Sequence, residues 1–524
     1  MTPEGRPIRI CIVRPPTLTS VGAVGQDAVP PIGPAYITAA LLAARHEVSC
    51  VDAVGEAPDQ YTRMPGHEDV LVHGLLDREI VERIPADTEV IGISSMFSVE
   101  WPVTRSTIEE IREAFPEALM VLGGEHLTAA PEFSLADCPA LDVGVFGEGE
   151  ETIVDLLDAF VSKRDFQDVD GIVYRDAGEI LRTPRRGRIR AIDEIPQPSW
   201  GMWPVENYIE LELTHGINLG RCMPLLASRG CPYQCTFCSS PQMWTTLWKA
   251  RSPELVIAEI KQYMQEYGAT NFDFYDLTAI VKKSWIVEFC KLLERERLDI
   301  TWQLPSGTRS EAIDSEVAEW LYRSGCRSMN YAPETGSPQE LKRIKKRCSI
   351  DSMLASMRGV KAAGIEIKVN FIFGLPGETW HDVRQTFKFL SQLAWIGADD
   401  VACFPFSAYP GTEMFDALLE SGEIVMGEEY FIGLLGYTDL PNSVSYSEFI
   451  SSRQLAFLSM AGMVFFYSLN YLRRPWRAFR FLYEALLRRN SSKLTMALAN
   501  TRRKRRAKKL FAQAQQDTVS ISAS

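Results

Sequence analysis

Two series of short apolar runs, each run followed by a helical pattern, constrain this fold more than any other feature of the chain. The first series comprises residues 8–13, 48–51, 89–95, 118–123 and 142–146. Runs of this length, bounded by turn residues such as Pro15 and Pro16, suit strands covered on both faces. Repeated strand–helix units make a doubly wound parallel α/β sheet, Rossmann-like, whose ligands sit at the carboxyl ends of its strands. A hairpin pattern follows at 171–174 and 180–183, then a basic, Gly- and Pro-broken stretch at 182–190 and a linker at 196–200. The second series, at 224–228, 271–275, 301–304, 328–332, 367–373 and 401–406, fits a partial or full α/β barrel of the TIM kind. After Leu418 the pattern is helical. We therefore divide the chain into 1–195, a Rossmann-like domain; 196–420, a barrel; and 421–524, a helical region with a basic tail.

Composition removes several classes. With 46% hydrophobic and 23% charged residues in 524, the chain has ample apolar surface to fold. Its 11 Cys are too sparse for a disulfide scaffold, and no leader pattern stands at Met1, so reduced cytoplasmic thiols are expected. The net charge of −13 hides a segment, 471–510, whose single acid is Glu484 among many Lys and Arg. The rest is more acidic still, a poor footprint for nucleic acid.

The chemistry is concentrated in Arg229-Gly230-Cys231-Pro232-Tyr233-Gln234-Cys235-Thr236-Phe237-Cys238. Three thiols in one short loop, with Gly and Pro to bend it, suit a single centre. Three thiolates leave one iron of a cubane cluster without a protein ligand, whereas an electron-transfer ferredoxin closes all four. Structural zinc is the alternative. It would need Cys222 as a fourth ligand, and paired CxxC spacings are absent.

This loop, placed after the first barrel strand, resembles the radical SAM superfamily. The resemblance continues through Tyr331-Ala332-Pro333-Glu334-Thr335-Gly336, through Asn370-Phe371-Ile372-Phe373-Gly374-Leu375-Pro376-Gly377-Glu378, and through Tyr409-Pro410-Gly411-Thr412. It implies a 4Fe-4S cluster on Cys231, Cys235 and Cys238 with S-adenosylmethionine chelating the fourth iron, and cleavage of that cofactor to a 5′-deoxyadenosyl radical. It further implies cofactor contacts from Phe237 beside the cluster, from Glu334, and from backbone at Gly374 and Pro376. Related enzymes hold the methionine amino group with an Asp-Asp pair; here Leu277 replaces one carboxylate, leaving Asp276 as the candidate.

The first domain lacks GxGxxG after its first strand, which weakens a dinucleotide reading. It carries Pro30-Pro31-Ile32-Gly33-Pro34-Ala35-Tyr36, Gly123-Gly124-Glu125-His126 and Gly147-Glu148-Gly149-Glu150-Glu151. These resemble the cobalamin-binding domain of cobalamin-dependent radical SAM enzymes, the group that includes methyltransferases and the anaerobic protoporphyrin ester cyclase. Gly123, Gly124, Gly147 and Gly149 are the expected places for close approach of the corrin and its tail. His126 and Glu148 are weighed as cofactor contacts against roles in the loop itself. No Asp-x-His-x-x-Gly supplies a lower axial imidazole.

The family implies a cobalamin-dependent methyltransferase acting on an unactivated carbon. Methylcobalamin would supply the methyl and the 5′-deoxyadenosyl radical would abstract a substrate hydrogen. The alternatives are oxidative cyclisation like the protoporphyrin ester cyclase and, from another class, a non-catalytic cobalamin sensor or carrier. The expected partners are a small-molecule, lipophilic substrate and an electron donor such as flavodoxin or ferredoxin. Residues 454–472 carry no charge, and aromatic and basic residues alternate over 473–489, a pattern of interfacial helices. With the cations of 502–509 this predicts peripheral contact at the inner face of the cell membrane through 471–510.

Overall fold

The computed structural model describes residues 6–23, 28–309 and 311–487, with residues 495, 496, 498, 501, 502 and 504. Its N-terminal strands are β1 (Arg9–Arg14), β2 (Thr17–Ser20), β3 (Glu47–Asp52), β4 (Tyr61–Met64), β5 (His67–His73), β6 (Val90–Ser94), β7 (Leu119–Gly123), β8 (Val143–Val145), β9 (Ile172–Asp176) and β10 (Glu179–Arg182). Seven of them form one sheet in the order β10-β9-β8-β7-β6-β1-β3. From β3 to β8 neighbouring strands are parallel, because helices such as Ile32–Ala43 and Trp101–Ala114 carry the chain back between them. Chain order reverses between β1 and β6, which places the switch point of the sheet at their carboxyl ends.

Two details differ from the expected sheet. The hairpin β9–β10 is no separate unit: β9 pairs antiparallel with β8 and extends the same sheet. A second, antiparallel sheet, β2-β5-β4, stands beside it. A reading based on apolar runs passes over β4 and β5, because Arg63, Glu68 and Asp69 break the pattern. Their turn is nonetheless legible in Pro65-Gly66, where Gly66 takes φ 81°.

The second half holds β11 (Cys222–Leu225), β12 (Ser228–Arg229), β13 (Lys249–Ala250), β14 (Asn271–Phe274), β15 (Thr301–Thr308), β16 (Cys326–Glu334), β17 (Glu366–Phe373) and β18 (Asp400–Pro405). The order β11-β14-β15-β16-β17-β18 is parallel throughout and does not close, so the barrel is partial. The helix Ser452–Arg473 lies along the open edge at β18. Gly462 permits this approach, since a Cβ there would stand 3.0 Å from Cys403 Sγ and 3.3 Å from the Phe373 ring.

Residues 196–200 form no loose linker. Trp200 donates to the Tyr263 hydroxyl (3.0 Å), and Trp203, just beyond, donates to Thr38 (3.3 Å). Both indoles are buried, each contributing about 1.5–3 kcal/mol. One apolar core therefore runs from β1 through these two residues into β16 and β17. Arg488, Arg489 and most of the 502–509 cluster lie outside the described residues.

Candidate cofactor site

The site begins with the loop after β12. The short β12–β13 ladder turns the chain so that Cys231, Cys235 and Cys238 follow within one bend, which is tied by the Cys238 amide to the Cys235 carbonyl (3.2 Å). The closing segment of the barrel braces it, through the Met414 amide on the Thr236 carbonyl (3.0 Å). All three thiols are half-buried and unbridged. Burial raises each of them, Cys238 to about 12, while Arg309 and Lys346 pull Cys231 and Cys235 back down. A cationic setting of this kind favours the thiolates that iron binding demands. Among the described residues no three His, Cys, Asp or Glu side chains converge as the ligands of one ion would; a cubane takes each thiolate on a different iron, which asks for wider spacing. Cys222 is removed as a fourth zinc ligand. It opens β11, a strand's length from the loop, where the Asn271 amide donates to its sulfur (3.1 Å).

Glu334 ends β16 with φ 68°, directly after a register break between Tyr331 and Glu334. A left-handed non-glycine residue costs about 1–3 kcal/mol and persists only where its surroundings enforce it. Here the bulge aims the carboxylate at Lys346 Nζ, 2.7 Å away. Lys346 also lies 5.7 Å from the Phe237 ring, which sets Glu334, Phe237 and Cys235 around one cation. Arg309 lies 3.5 Å over the Tyr233 ring, inside the thiol loop. Sequence reading missed Lys346 and Arg309. Arg309 had a signal, a basic residue directly after the third barrel strand; Lys346, beyond the helix Pro338–Arg343 that follows the fourth, had none. Gly374 directly follows β17 with φ 80°, and Pro376 is half-buried in the same turn. Asp276 is fully buried and already accepts from the Ala227 amide (3.1 Å) and Ser228 Oγ (2.5 Å). Burial lifts its carboxyl to about 6. No cation faces it in these bonds, so its first role is to tie the bend before the thiol loop.

The N-terminal motifs meet this loop from the other side. Arg229, two residues before Cys231, pairs with Glu150 at 2.6 Å and Glu148 at 3.4 Å, and its guanidinium sits 4.9 Å over the Tyr36 ring. Arg188 pairs with Glu148 at 2.6 Å and also donates to the Trp244 carbonyl. Burial would raise the Glu150 carboxyl, yet Arg229 overrides it and holds Glu150 below the usual carboxylate range. Glu125, buried and raised, accepts from Ser239, the residue after Cys238. All three motifs of the first domain thus touch the flanks of the thiol loop. The basic stretch 182–190 acts as the strap between them, with Arg185 also donating to the Met243 carbonyl (2.5 Å).

Several of the expected cofactor contacts already have partners within the chain. Glu148 is consumed by two arginines and the Ile189 amide (2.8 Å). His126 is completely buried, with Nδ1 3.0 Å from Ser98 Oγ and Nε2 3.3 Å from Ser134 Oγ, and it stacks on Trp101. Burial lowers it to about 3, which keeps the imidazole neutral where it packs in the first domain. Gly124 has φ 120°, and a Cβ there would meet the Ser95 carbonyl oxygen at 2.2 Å; its own backbone demands glycine. Gly149 similarly faces Ile37 at 2.9 Å. Gly123 and Gly147 differ: a Cβ there would meet the Val145 carbonyl oxygen at 3.9 Å and the Arg185 guanidinium at 3.7 Å, ordinary contact distances, so crowding does not exclude a side chain at the carboxyl ends of β7 and β8. A further contribution comes from the C-terminal region, where Phe431 packs edge-on against His126 (5.6 Å) and Tyr437 stacks on Phe404 (4.4 Å).

A family model for the radical SAM superfamily matches residues 225–390, and one for the B12 binding domain matches residues 18–157. An uncharacterized methyltransferase of Pyrococcus horikoshii is 29% identical over 410 residues, covering 78% of this chain and 83% of that protein. An anaerobic magnesium-protoporphyrin IX monomethyl ester cyclase of Cereibacter sphaeroides is 27% identical over 430 residues, 81% of this chain and 66% of that one. The solved structure of the radical S-adenosylmethionine methyltransferase TsrM from Kitasatospora setae, with tryptophan and a SAM analogue bound, shares the fold at TM-score 0.61. It is 15% identical and covers 91% of this chain and 99% of that one. Both domain models match, one in each of the two halves that the thiol loop joins: the chain carries a B12 binding domain followed by a radical SAM domain, and its cofactors are a 4Fe-4S cluster, S-adenosylmethionine and cobalamin.

Proposed function

We propose that the protein methylates an unactivated carbon of a small, lipophilic molecule. One observation carries the reading: Tyr36, Glu125, Glu148 and Glu150, from the segments that follow strands of the first domain, directly contact the residues flanking Cys231–Cys238. Two cofactor beds held this closely suit a reaction that uses both at one substrate. When bound, the cofactors supply a 5′-deoxyadenosyl radical and a methyl group. In this reading Cys231, Cys235 and Cys238 hold the cluster, and Glu334, steadied by Lys346, orients S-adenosylmethionine together with Phe237, Asp276 and the backbone at Gly374 and Pro376. Gly123 and Gly147 leave room for the corrin. Tyr409 and Tyr437, both half-buried, help to keep water from the site. The electron donor is of the flavodoxin or ferredoxin class. All 11 cysteines are free, which suits the reducing cytoplasm.

The test does not require the substrate. The anaerobic protein, reconstituted with hydroxocobalamin and reductant, receives S-adenosylmethionine with a deuterated methyl group. Release of 5′-deoxyadenosine, with deuterium recovered in the corrin fraction, is expected. 5′-Deoxyadenosine without label on the corrin would move the reading to the cyclase chemistry of the Cereibacter sphaeroides relative. No 5′-deoxyadenosine at all would leave a sensor or carrier.

The corrin assignment has its own check. Gly123→Val should weaken cobalamin retention after gel filtration about tenfold, because the chain tolerates a Cβ there and the added methyls would compete with the corrin at the end of β7. Iron content should not change. If Gly123→Val holds cobalamin as tightly as the parent, the cofactor does not lie over the end of β7.

A further inference from the structure

The helices Ser452–Arg473 and Pro475–Leu486 carry an apolar face that no described residue covers. Phe457 is 70% exposed, Leu472 80%, Phe479 72% and Leu486 81%. Their other side is anchored to the barrel. Asn470 donates to the Ala398 carbonyl (2.8 Å), Arg477 reaches that carbonyl and Asp399 (each 2.8 Å), and Arg480 reaches Glu366 (3.2 Å). In the second helix the usual arrangement is thus inverted, with the polar side on the protein and the aromatic side outward. A contiguous patch of this kind on a water-soluble surface marks a contact.

We propose that this face docks on the surface of an anionic lipid bilayer. Charge selects the occupant. The patch is bordered by Arg473 and Arg480, both exposed, and the sequence continues into Arg488 and Arg489; of the later basic cluster, Lys504 is buried against Thr19 and Ala23 and takes no part. Anionic headgroups complement this arrangement. A second copy of the chain, paired isologously, would set those cations against their own images. The long helix does not span the bilayer, because Leu458, Gly462, Phe466 and Asn470 are buried in the protein; only its outer face enters the interface. Glu366 and Asp399 lie at the amino ends of β17 and β18, so docking occupies the end of the barrel opposite the thiol loop.

Flotation of the full-length, iron-loaded protein with vesicles decides the matter. At low salt the parent should float with phosphatidylglycerol–phosphatidylcholine vesicles, and far less with phosphatidylcholine alone. The double variant Trp476→Ser/Phe479→Ser should partition at least about tenfold more weakly, with unchanged iron content and thermal midpoint, because both side chains point away from the fold. Three outcomes overturn the proposal: a parent that stays at the bottom with anionic vesicles, a double variant that floats as well as the parent, or a parent that is a lipid-indifferent dimer which the double variant converts to monomer.

Discussion

Replacing Cys231, Cys235 and Cys238 together by Ala is expected to take the anaerobically purified protein from about four irons per chain to none, because three thiolates hold the cubane. The brown colour and the cleavage of S-adenosylmethionine should go with the iron, a loss of activity limited only by the assay. The fold should survive. The three side chains are half-buried in a loop and contribute little apolar packing, in contrast to Cys11, Cys290, Cys326 and Cys403, which are buried core residues. Cys222→Ala serves as the control, since its thiol lies on β11 against Asn271. It should keep the full complement of iron. Zinc in the parent, or iron persisting in the triple variant, would refute the assignment of the loop.

Arg229→Met should cost about 3–5 kcal/mol in denaturant unfolding at neutral pH, because it leaves Glu150 buried without its partner. The pH dependence distinguishes this from a simple packing defect. In the parent, Arg229 holds the Glu150 carboxyl below its usual range against the effect of burial. The pair's stabilisation is therefore complete above the ordinary carboxylate range and is lost as pH falls through the depressed value. In Arg229→Met burial is opposed only by Arg188 and a backbone amide, and the carboxyl rises. The deficit is then largest at neutral pH and shrinks on acidification, as Glu150 protonates. A deficit that is absent at neutral pH, or that grows as pH falls, would show that Arg229 does not carry the contact. Iron should remain bound, since the thiols are intact.

Much of this arrangement was legible in the sequence, for a physical reason. Parallel strands buried on both faces read as continuous apolar runs, so β1, β3, β6, β7, β8 and the barrel strands announce themselves. A three-thiol loop has few uses. What escaped was set by partners distant in sequence. Asp276, Glu148 and His126 are polar residues beside cofactor motifs, and nothing local reveals that Ser228, Arg188 and Ser98 already engage them. Gly124 and Gly123 are adjacent and identical in type, yet only the position of the Ser95 backbone separates a glycine the chain itself needs from one where a Cβ would make only an ordinary contact. Lys346 was equally hidden, because its meaning depends on the bulge that turns Glu334 toward it.

A core that runs unbroken from β1 through Trp200 and Trp203 into β17 makes the two halves one cooperative unit. Neither can lose its order without baring apolar surface on the other, so opening of the joint approaches global unfolding. A chain cut at residue 195 would leave Thr38 and the helix Ile32–Ala43 facing water where Trp203 had been. The corrin-binding half is thus no detachable cartridge that ferries its cofactor between proteins. A destabilising substitution deep in its sheet will be felt at the iron.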